Sequence, residues 1–414
     1  MAAVLKHWRE AASLILVTSN SARVGTQMTQ LNLTAAYDSA AKRFNNGSSK
    51  NDEINIQSDA GENFEVLMLK RSSKSKFMPN VYIFPGGVAV DSDFSSKWLS
   101  VFNKMGSDIC KKMFEAMSSK SCQAAPMFTR QRDSAFTSIP SEVAFRICAI
   151  RETFEESGVL LVQPAKQLSY RPDSIYKSNG SLSTGLIHEN VTLLSDWRDR
   201  VNRDPNEFLL MCQELDLIPE VWSLFEWSNF LTPPRDMMSS YRFDTIFYVC
   251  CMDHKPRASH DFGETVNTIW GSPSSILSAY FRQKSGLAPP QLYELARLMN
   301  FTSTSDLLDI LSQPERDRVE RWCPLTVACQ DGVLFVMPGD DLYPDQADLM
   351  SKKEYKFDES IEALNRKFPK HHRMFYKDHA TMGCVDFNAT IKPRKGHVVP
   401  RIDLLNKLKT SSNL

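Results

Sequence analysis

The feature that most constrains the fold of this chain is a group of carboxylates near the end of a predicted helix, in the segment Arg151-Glu-Thr-Phe-Glu-Glu-Ser-Gly-Val159. Residues three and four positions apart lie side by side on a helix, so Glu152, Glu155 and Glu156 share one face. Three like charges repel there, and a divalent cation such as Mg²⁺, which prefers oxygen ligands, reverses that effect. A charge run is also typical of an exposed helix surface, so the neighbouring segments must decide.

The helix that carries these carboxylates is predicted to begin at Ser141 and to end before Gly158. Pro140-Ser141-Glu142 supplies a cap and an acid in the first turn, where backbone N–H groups lack partners. Glycine suits the left-handed position that often follows a helix. The apolar face between these ends consists of Val143, Ala144, Ile147, Ile150 and Phe154.

Length and composition exclude several classes of protein. The 414 residues suffice for two domains, or for one domain with large insertions. Lys+Arg and Asp+Glu both number 49, so the zero formal charge gives no overall attraction to nucleic acid or an anionic membrane. The nine cysteines are scattered without a C-x-x-C pair, which indicates reduced intracellular thiols rather than disulfides or zinc sites.

Apolar runs outline an α/β domain over residues 10–285. No run approaches the roughly 20 residues of a membrane helix, and Ala11–Val17 is predicted to be a first strand rather than a signal peptide. Further strands are predicted at Phe64–Leu69, Val81–Phe84 and Asp244–Cys251. Insertions are expected near residues 19–62, 88–140 and 163–220, with one or two helices around residues 97–117 and another at 206–215.

A C-terminal extension is predicted over residues 286–400, packed on the first domain. Amphipathic spacing predicts helices at Gln291–Leu298 and Ser305–Leu311, and strand-like runs follow at Leu325–Ala328 and Gly332–Met337. Residues 401–414 are expected to form a tail.

A basic turn and a glycine bend precede the acidic helix, in the segment Leu69-Lys-Arg-Ser-Ser-Lys-Ser-Lys-Phe-Met-Pro-Asn-Val-Tyr-Ile-Phe-Pro-Gly-Gly87. No acid occurs from Val66 to Val90, so the cations form a local patch that attracts phosphate in an otherwise neutral chain. The glycines allow the backbone to approach a ligand or metal closely. The clustered cations are Lys70, Arg71, Lys74 and Lys76.

The acidic helix resembles the core of the Nudix box, R-E-x-x-E-E-x-G followed by an apolar residue. The resemblance implies an α/β/α sandwich with a mixed sheet, a catalytic role for Arg151, and Mg²⁺ or Mn²⁺ bound by Glu152, Glu155 and Glu156. Thr153 replaces the usual apolar residue. The box glycine, Gly87, is separated from Arg151 by the second insertion, and the nearest candidate for the intervening Glu, residue 142, is one position out of register.

The basic segment resembles the signature of Nudix enzymes that hydrolyse coenzyme A, with Lys and Asn80 replacing an Arg and a Gly. Asn tolerates a left-handed backbone nearly as well as Gly. The resemblance implies cleavage of coenzyme A or acyl-coenzyme A to 3′,5′-ADP and (acyl-)4′-phosphopantetheine. The implied substrate-binding residues are Arg71, Ser72, Lys76, Phe84, Gly86 and Gly87.

The segments Trp227–Pro233, Arg242–Phe247 and Pro338–Asp340 resemble the long animal form of the peroxisomal acyl-coenzyme A diphosphatases. The resemblance implies that the insertions are a trait of that form. The tripeptide Ser412-Asn413-Leu414 resembles the S-K-L peroxisomal signal. It implies recognition by a peroxisomal import receptor and a location in the peroxisomal matrix, with the cytosol as the alternative.

Three alternatives remain at this point. The same motifs are also compatible with a Nudix hydrolase that cuts another diphosphate, such as NADH, a nucleotide sugar or capped RNA. The single short basic cluster argues against an extended nucleic-acid surface. A Nudix-fold binding module without activity is the third reading. The general base is not assigned, and Glu156, through a metal-bound water, and Glu264 are the candidates.

Overall fold

The computed structural model describes residues 8–19, 61–75, 78–118, 125–165, 191–234, 241–261, 263–313, 319, 321–350, 355–376, 386–391 and 397–412. The predicted loop at residues 19–62 lies almost entirely outside these ranges, as do Lys76, Asn413 and Leu414. No helix in the described ranges is long and apolar enough to cross a bilayer.

A mixed sheet of nine strands forms the centre of the molecule. Its middle strand runs parallel to one neighbour and antiparallel to the strands on its other edge. The strands are β1 (Arg9–Ser19), β2 (Phe64–Arg71), β3 (Val81–Ile83), β4 (Gly86–Val88), β7 (Phe225–Leu231), β8 (Phe243–Met252), β9 (Thr265–Gly271), β10 (Gly286–Leu287) and β11 (Arg321–Trp322), while β5 (Val162–Pro164) and β6 (Leu217–Pro219) form a separate ribbon.

Strand β1 is buried on both faces, because helices cover the sheet on both sides. Leu14 and Leu16 pack into one apolar cluster, whereas Ile15 and Val17 pack into a second cluster on the opposite face. This alternation follows from the two-residue period of a strand. It explains why the sequence of β1 is a continuous apolar run rather than an alternating one.

Two layers of helices enclose the sheet, and this arrangement confirms the predicted α/β/α sandwich with a mixed sheet. The first face carries α1 (Trp98–Phe102), α2 (Ser107–Met117), α3 (Pro126–Thr129), α4 (Ser141–Ser157), α5 (Val191–Arg203) and α6 (Asn206–Glu214). The second face carries α7 (Pro273–Phe281), α8 (Pro289–Leu298), α9 (Thr304–Leu311) and α11 (Ile402–Ser412). The helices predicted around residues 97–117 and at 206–215 are therefore present.

A second sheet of five strands follows in the C-terminal part of the chain. Its core, which includes Leu334 and Val336, is separate from the two main clusters. His372 Nε2 on this sheet lies 2.9 Å from the hydroxyl oxygen of Tyr293 on α8. This contact joins the second sheet to a helix that covers the main one. The elements are β12 (Leu325–Cys329), β13 (Gly332–Val336), β14 (Tyr355–Lys356), α10 (Ile361–Lys367), β15 (His372–Tyr376) and β16 (Asp386–Ala389). The domain limits themselves stay a prediction.

A buried carboxyl beside the β5–β6 ribbon provides a pH-dependent test of the fold. Burial raises the pKa of Glu220 to about 8 from an ordinary value of 4.5. Hydrogen bonds from Gln163, Trp222 and Ser223 lower this pKa and offset part of the effect. Between these values the unfolded chain releases the proton and the folded chain keeps it, so this group lowers stability as pH rises through that window. Glu220→Gln is expected to reduce the loss of unfolding free energy between pH 5.5 and 7.5, measured by urea denaturation. An unchanged loss would contradict this assignment.

Candidate active site

The three carboxylates lie at the carboxyl end of α4, as predicted. The helix begins at Ser141, and Gly158 follows it in the left-handed region at φ 71°. The N–H of Gly158 donates to Phe154 O at 2.9 Å, which closes the last turn. Thr153, which stands where the Nudix pattern has an apolar residue, is buried, and its hydroxyl donates to Ala149 O at 2.7 Å. The hydroxyl is therefore compatible with the core, because a carbonyl of the same helix accepts its hydrogen bond.

Arg151 is the buried centre of the charged network on this helix, with 1% of its surface exposed. Its Nη1 donates to Glu152 Oε1 at 2.8 Å and to Glu155 Oε1 at 2.7 Å. On its other side, Nε and Nη2 donate to the two carboxylate oxygens of Asp93 at 2.8 and 2.9 Å. Planar bidentate pairing of this kind fixes the orientation of a guanidinium. Arg151 in turn holds one oxygen of each glutamate.

Asp93 is the site residue that sequence reasoning missed. It lies in a short 3₁₀ turn, Asp91–Phe94, directly after β4, and it is 1% exposed. The Nudix pattern has an acid between its glycine and its arginine, and Glu142 was the nearest candidate. In the structure, Asp93 is the acid from this part of the chain that contacts Arg151. Its position a few residues after Gly87 could have identified it. Asp93 was overlooked because its side chain is shorter than that of the expected Glu and because the insertion separates it from Arg151.

The glycine bend brings backbone groups against the acidic helix. The N–H of Gly86 donates to Glu156 Oε2 at 2.9 Å. The bend is held to β1, because Pro85 O accepts hydrogen bonds from Leu14 N at 2.8 Å and from Ser13 Oγ at 3.0 Å. Gly86 is needed for the close approach of the bend to β1. A Cβ on Gly86 would lie 2.5 Å from Ala12 O.

The two neighbouring glycines should respond differently to alanine. A Cβ on Gly87 would lie 2.5 Å from the carboxylate of Glu152, which is the movable end of a side chain, whereas a Cβ on Gly86 would meet backbone. Gly86 also has φ 153°, inside the region that favours glycine. We expect Gly87→Ala to lower turnover by about 10-fold or more through displacement of Glu152, with little loss of stability. Gly86→Ala should instead lower the melting temperature, and equal melting temperatures of the two variants would contradict this difference.

Burial raises the pKa of all three glutamates. The pKa of Glu155 rises to about 7, through desolvation against the opposing charge of Arg151. The pKa of Glu156 rises well above its ordinary value, through desolvation and the nearby charge of Glu152, partly offset by the Gly86 hydrogen bond. Carboxylates in this state are costly to ionise, and a bound cation would favour the ionised form.

The donor set fits a hard divalent cation. Arg151 and Gly86 occupy Oε1 of Glu152, Oε1 of Glu155 and Oε2 of Glu156, which leaves one oxygen of each carboxylate. Such oxygen donors suit Mg²⁺ or Mn²⁺. Among the described residues, no three acidic, histidine or cysteine side chains already stand at metal-ligand positions. The assignment of the three glutamates as metal ligands therefore stays a prediction.

The basic turn lies beside these carboxylates. The charge of Arg71 lowers the pKa of Glu156, although burial, the charges of Glu152 and Glu264 and the Gly86 hydrogen bond contribute more. The guanidinium of Arg71 donates to Ser75 Oγ at 2.9 and 2.6 Å. Arg71 pairs with Thr265 across β2 and β9, and the Thr265 hydroxyl donates to Glu156 O at 3.4 Å, so the backbone of Arg71 lies beside the last turn of α4.

The remaining residues of the predicted substrate site occupy different positions. Ser72 is 8% exposed, and its N–H donates to Glu264 O at 2.8 Å. Asn80 adopts the left-handed conformation at φ 61°, as expected for a residue that replaces glycine in this turn. Phe84 is buried on the second face of the sheet, edge-on to Phe247 at 6.4 Å between ring centroids, so its ring supports the glycine bend from the core. Lys76 lies outside the described residues.

Glu264 is exposed on the segment between β8 and β9, at the edge of the site. Its N–H donates to Asp261 Oδ2 at 3.1 Å, in a turn that Asp261 organises. Its charge contributes to the raised pKa of both Glu152 and Glu156, after larger effects of burial. The next residue, Thr265, donates its hydroxyl to Glu156 O at 3.4 Å, so Glu264 lies beside the end of α4 and stays a candidate base.

The fold and the charged helix together are those of a Nudix hydrolase, and comparisons with known proteins identify the branch. A family model described as NUDT19 Nudix domain matches residues 8–298, and one described as NUDT19 C-terminal domain matches residues 326–385. The chain therefore belongs to the NUDT19 family of Nudix hydrolases, enzymes that generally use divalent metal ions.

Three similar relatives carry the name acyl-coenzyme A diphosphatase NUDT19. The protein of Xenopus laevis is 36% identical over 405 residues, which is 96% of each chain. That of Gallus gallus is 35% identical over 94% of each chain. That of Homo sapiens is 33% identical over 84% of this chain and 89% of its own length.

Proposed function

We propose that this enzyme hydrolyses the diphosphate linkage of coenzyme A and acyl-coenzyme A, with 3′,5′-ADP and (acyl-)4′-phosphopantetheine as products. The observation that carries the proposal is the position of the basic turn beside the last turn of α4, because Arg71 pairs with Thr265 across β2 and β9 and the Thr265 hydroxyl donates to Glu156 O at 3.4 Å. A cluster of carboxylates alone fits any Nudix substrate. The turn adds a cation at the position expected for the anionic ADP side, and the names of the relatives agree with this substrate.

The residues of the site have separate tasks in this reaction. Mg²⁺ or Mn²⁺, bound by Glu152, Glu155 and Glu156, would neutralise phosphate charge and lower the pKa of a coordinated water. Arg151 keeps two of these glutamates in one orientation, and the N–H of Gly86 orients the third. Arg71 binds the substrate through its charge, and Ser72 shapes the turn that presents it.

The general base is one of two carboxylates. Glu156 lies buried against Gly86, where burial and the charge of Glu152 raise the pKa of its carboxyl and so favour the protonated form. Glu264 is exposed and is free of the glycine bend. Glu264→Gln separates the candidates, because Glu156 is also a proposed metal ligand. A lower kcat with a changed pH profile would identify Glu264 as the base, and an unchanged kcat would leave Glu156.

The decisive experiment is product analysis with the purified protein. Coenzyme A would be incubated with Mg²⁺ or with Mn²⁺, and the products separated by chromatography beside an EDTA control. We expect 3′,5′-ADP with either metal and none with EDTA. Cleavage of NADH or capped RNA with coenzyme A left intact would reject the substrate assignment, and failure to cut any of them would support a binding module.

The basic turn provides a matched pair of variants. Arg71→Ala should raise the KM for coenzyme A by about 10-fold or more, because a charge-assisted phosphate contact contributes roughly 1.5–3 kcal/mol. Lys74→Ala changes an exposed cation of the same turn and should have a smaller effect. Steady-state kinetics with both variants measures the difference. Equal KM values for the two variants would show that Arg71 has no specific role.

We further propose a peroxisomal location and recognition by an import receptor. The proposal depends on the likeness of Ser412-Asn413-Leu414 to the S-K-L signal. Ser412 is the last residue of α11, and the other two residues lie outside the described ranges. Microscopy of the chain with an N-terminal fluorescent protein, with and without these three residues, tests it. Cytosolic fluorescence in both cases would favour the alternative.

A further inference from the structure

The carboxyl end of the metal helix is held by other segments of the chain. A helix leaves its last four carbonyls without intrahelical partners. In α4, Ser157 O accepts the N–H of Ser259 at 2.9 Å, and Glu156 O accepts the hydroxyl of Thr265 at 3.4 Å. Ser259 lies between β8 and β9, and Thr265 is the first residue of β9. The turn that carries Glu155 and Glu156 is therefore anchored from outside the helix.

Arg198 completes this anchor from the third insertion. Its Nε donates to Glu155 O at 2.9 Å, and Asn202 on the next turn of α5 donates to the same carbonyl at 3.4 Å. The other guanidinium nitrogens of Arg198 donate to Ser259 Oγ at 3.1 Å and to Ser259 O at 2.8 Å. Gly158 leaves room for this side chain, since a Cβ there would lie 3.1 Å from Nη1.

One side chain thus joins three elements that meet at the site. Arg198 connects α5 to the backbone of the metal helix and to the β8–β9 segment. That segment continues to Glu264, whose carbonyl accepts the N–H of Ser72 in the basic turn at 2.8 Å. The same guanidinium places a positive charge at the negative end of the α4 dipole.

We propose that Arg198 is a positioning residue for the hydrolysis: it fixes the last turn of α4, with its metal carboxylates, relative to the segment that holds the phosphate-binding turn. Groups that orient metal ligands typically change metal affinity or activity by about 10–100-fold when they are lost. The inference rests on the proposed function for its kinetic part only. Binding of Mn²⁺ without substrate tests it separately.

The test uses three variants of α5 in the full chain. Arg198→Met removes all contacts of the guanidinium, and Arg198→Lys keeps the charge but loses the fork. Arg200→Met is the matched control, because Arg200 lies on the same helix and pairs with Glu207, away from α4. The measurements are kcat and KM for coenzyme A, the Mn²⁺ dissociation constant from electron paramagnetic resonance, and the melting temperature.

We expect Arg198→Met to lower kcat by about 10-fold or more and to weaken Mn²⁺ binding several-fold, with KM changed less than kcat. Arg198→Lys should recover part of both losses, and Arg200→Met should resemble wild type. A weaker Mn²⁺ affinity would support the inference even if coenzyme A proves not to be the substrate.

A second comparison separates positioning from plain stability. Val201, fully buried on α5, can be replaced by Ala to loosen the same helix without touching Glu155. If Val201→Ala lowers the melting temperature as much as Arg198→Met but keeps kcat and Mn²⁺ affinity, the positioning role stands. Equal losses of both in the two variants would overturn it, as would a wild-type kcat and Mn²⁺ affinity in Arg198→Met.

Discussion

Replacement of Glu156 by Gln is expected to lower turnover of coenzyme A by about 100-fold or more while the fold is retained. The variant removes one of the proposed metal carboxylates and the charge of a candidate base, and a positioned base alone contributes roughly 10²–10⁴-fold. The side-chain oxygen of Gln can still accept the N–H of Gly86, which Glu156 accepts at 2.9 Å. The loss should therefore appear in catalysis rather than in the glycine bend.

The same variant should be at least as stable as wild type when no metal is added. The raised pKa of Glu156, caused chiefly by burial, means that the charged form is disfavoured in the folded protein. A neutral isostere does not have that penalty. Addition of Mn²⁺ should raise the melting temperature of wild type more than that of Glu156→Gln, because a ligand stabilises the state that binds it.

Glu142→Gln is a suitable control for this variant. Glu142 is also a buried glutamate of α4, but it lies 14 residues earlier, about 20 Å away along the helix axis. Turnover per folded molecule should be close to that of wild type. Near wild-type turnover in Glu156→Gln, measured by release of 3′,5′-ADP, would remove Glu156 from both of its proposed roles.

Replacement of Asp93 by Asn is expected to be the most destabilising change at the site. The variant keeps the size of the side chain but removes the negative charge that meets Nε and Nη2 of Arg151. Removal of one partner from a buried ion pair typically costs about 3–5 kcal/mol, and the lower end applies here because Glu152 and Glu155 still contact Arg151. Urea denaturation measures this loss.

Turnover of the Asp93→Asn protein should fall as well, by about 10-fold or more, since Arg151 orients two of the proposed metal carboxylates, Glu152 and Glu155. Asp91→Asn is the matched control, because Asp91 lies on the same turn but is exposed. We expect the control to change the free energy of unfolding by less than about 0.5 kcal/mol. If the two variants have equal stability and equal turnover, the Asp93–Arg151 pair does not support the site.

Local patterns were sufficient for much of this structure. The limits of α4 followed from Ser141 and Gly158, and helical spacing placed Glu152, Glu155 and Glu156 on one face. Continuous apolar runs predicted β1 and β8, since a strand buried on both faces has no polar side. Each of these inferences depends on neighbours within one element.

Contacts between distant segments could not be predicted in this way. Asp93 lies 58 residues from Arg151, and Arg198 lies 43 residues from the carbonyl that it closes. Neither pair leaves a period in the sequence, because an ion pair or a cap needs only two groups that the topology brings together. The burial of Phe84 behind the glycine bend has the same origin. The sequence by itself determined α4 and the three glutamates on its acidic face, because both depend on spacing within one element, whereas the tertiary structure decided which side chains hold that helix in place.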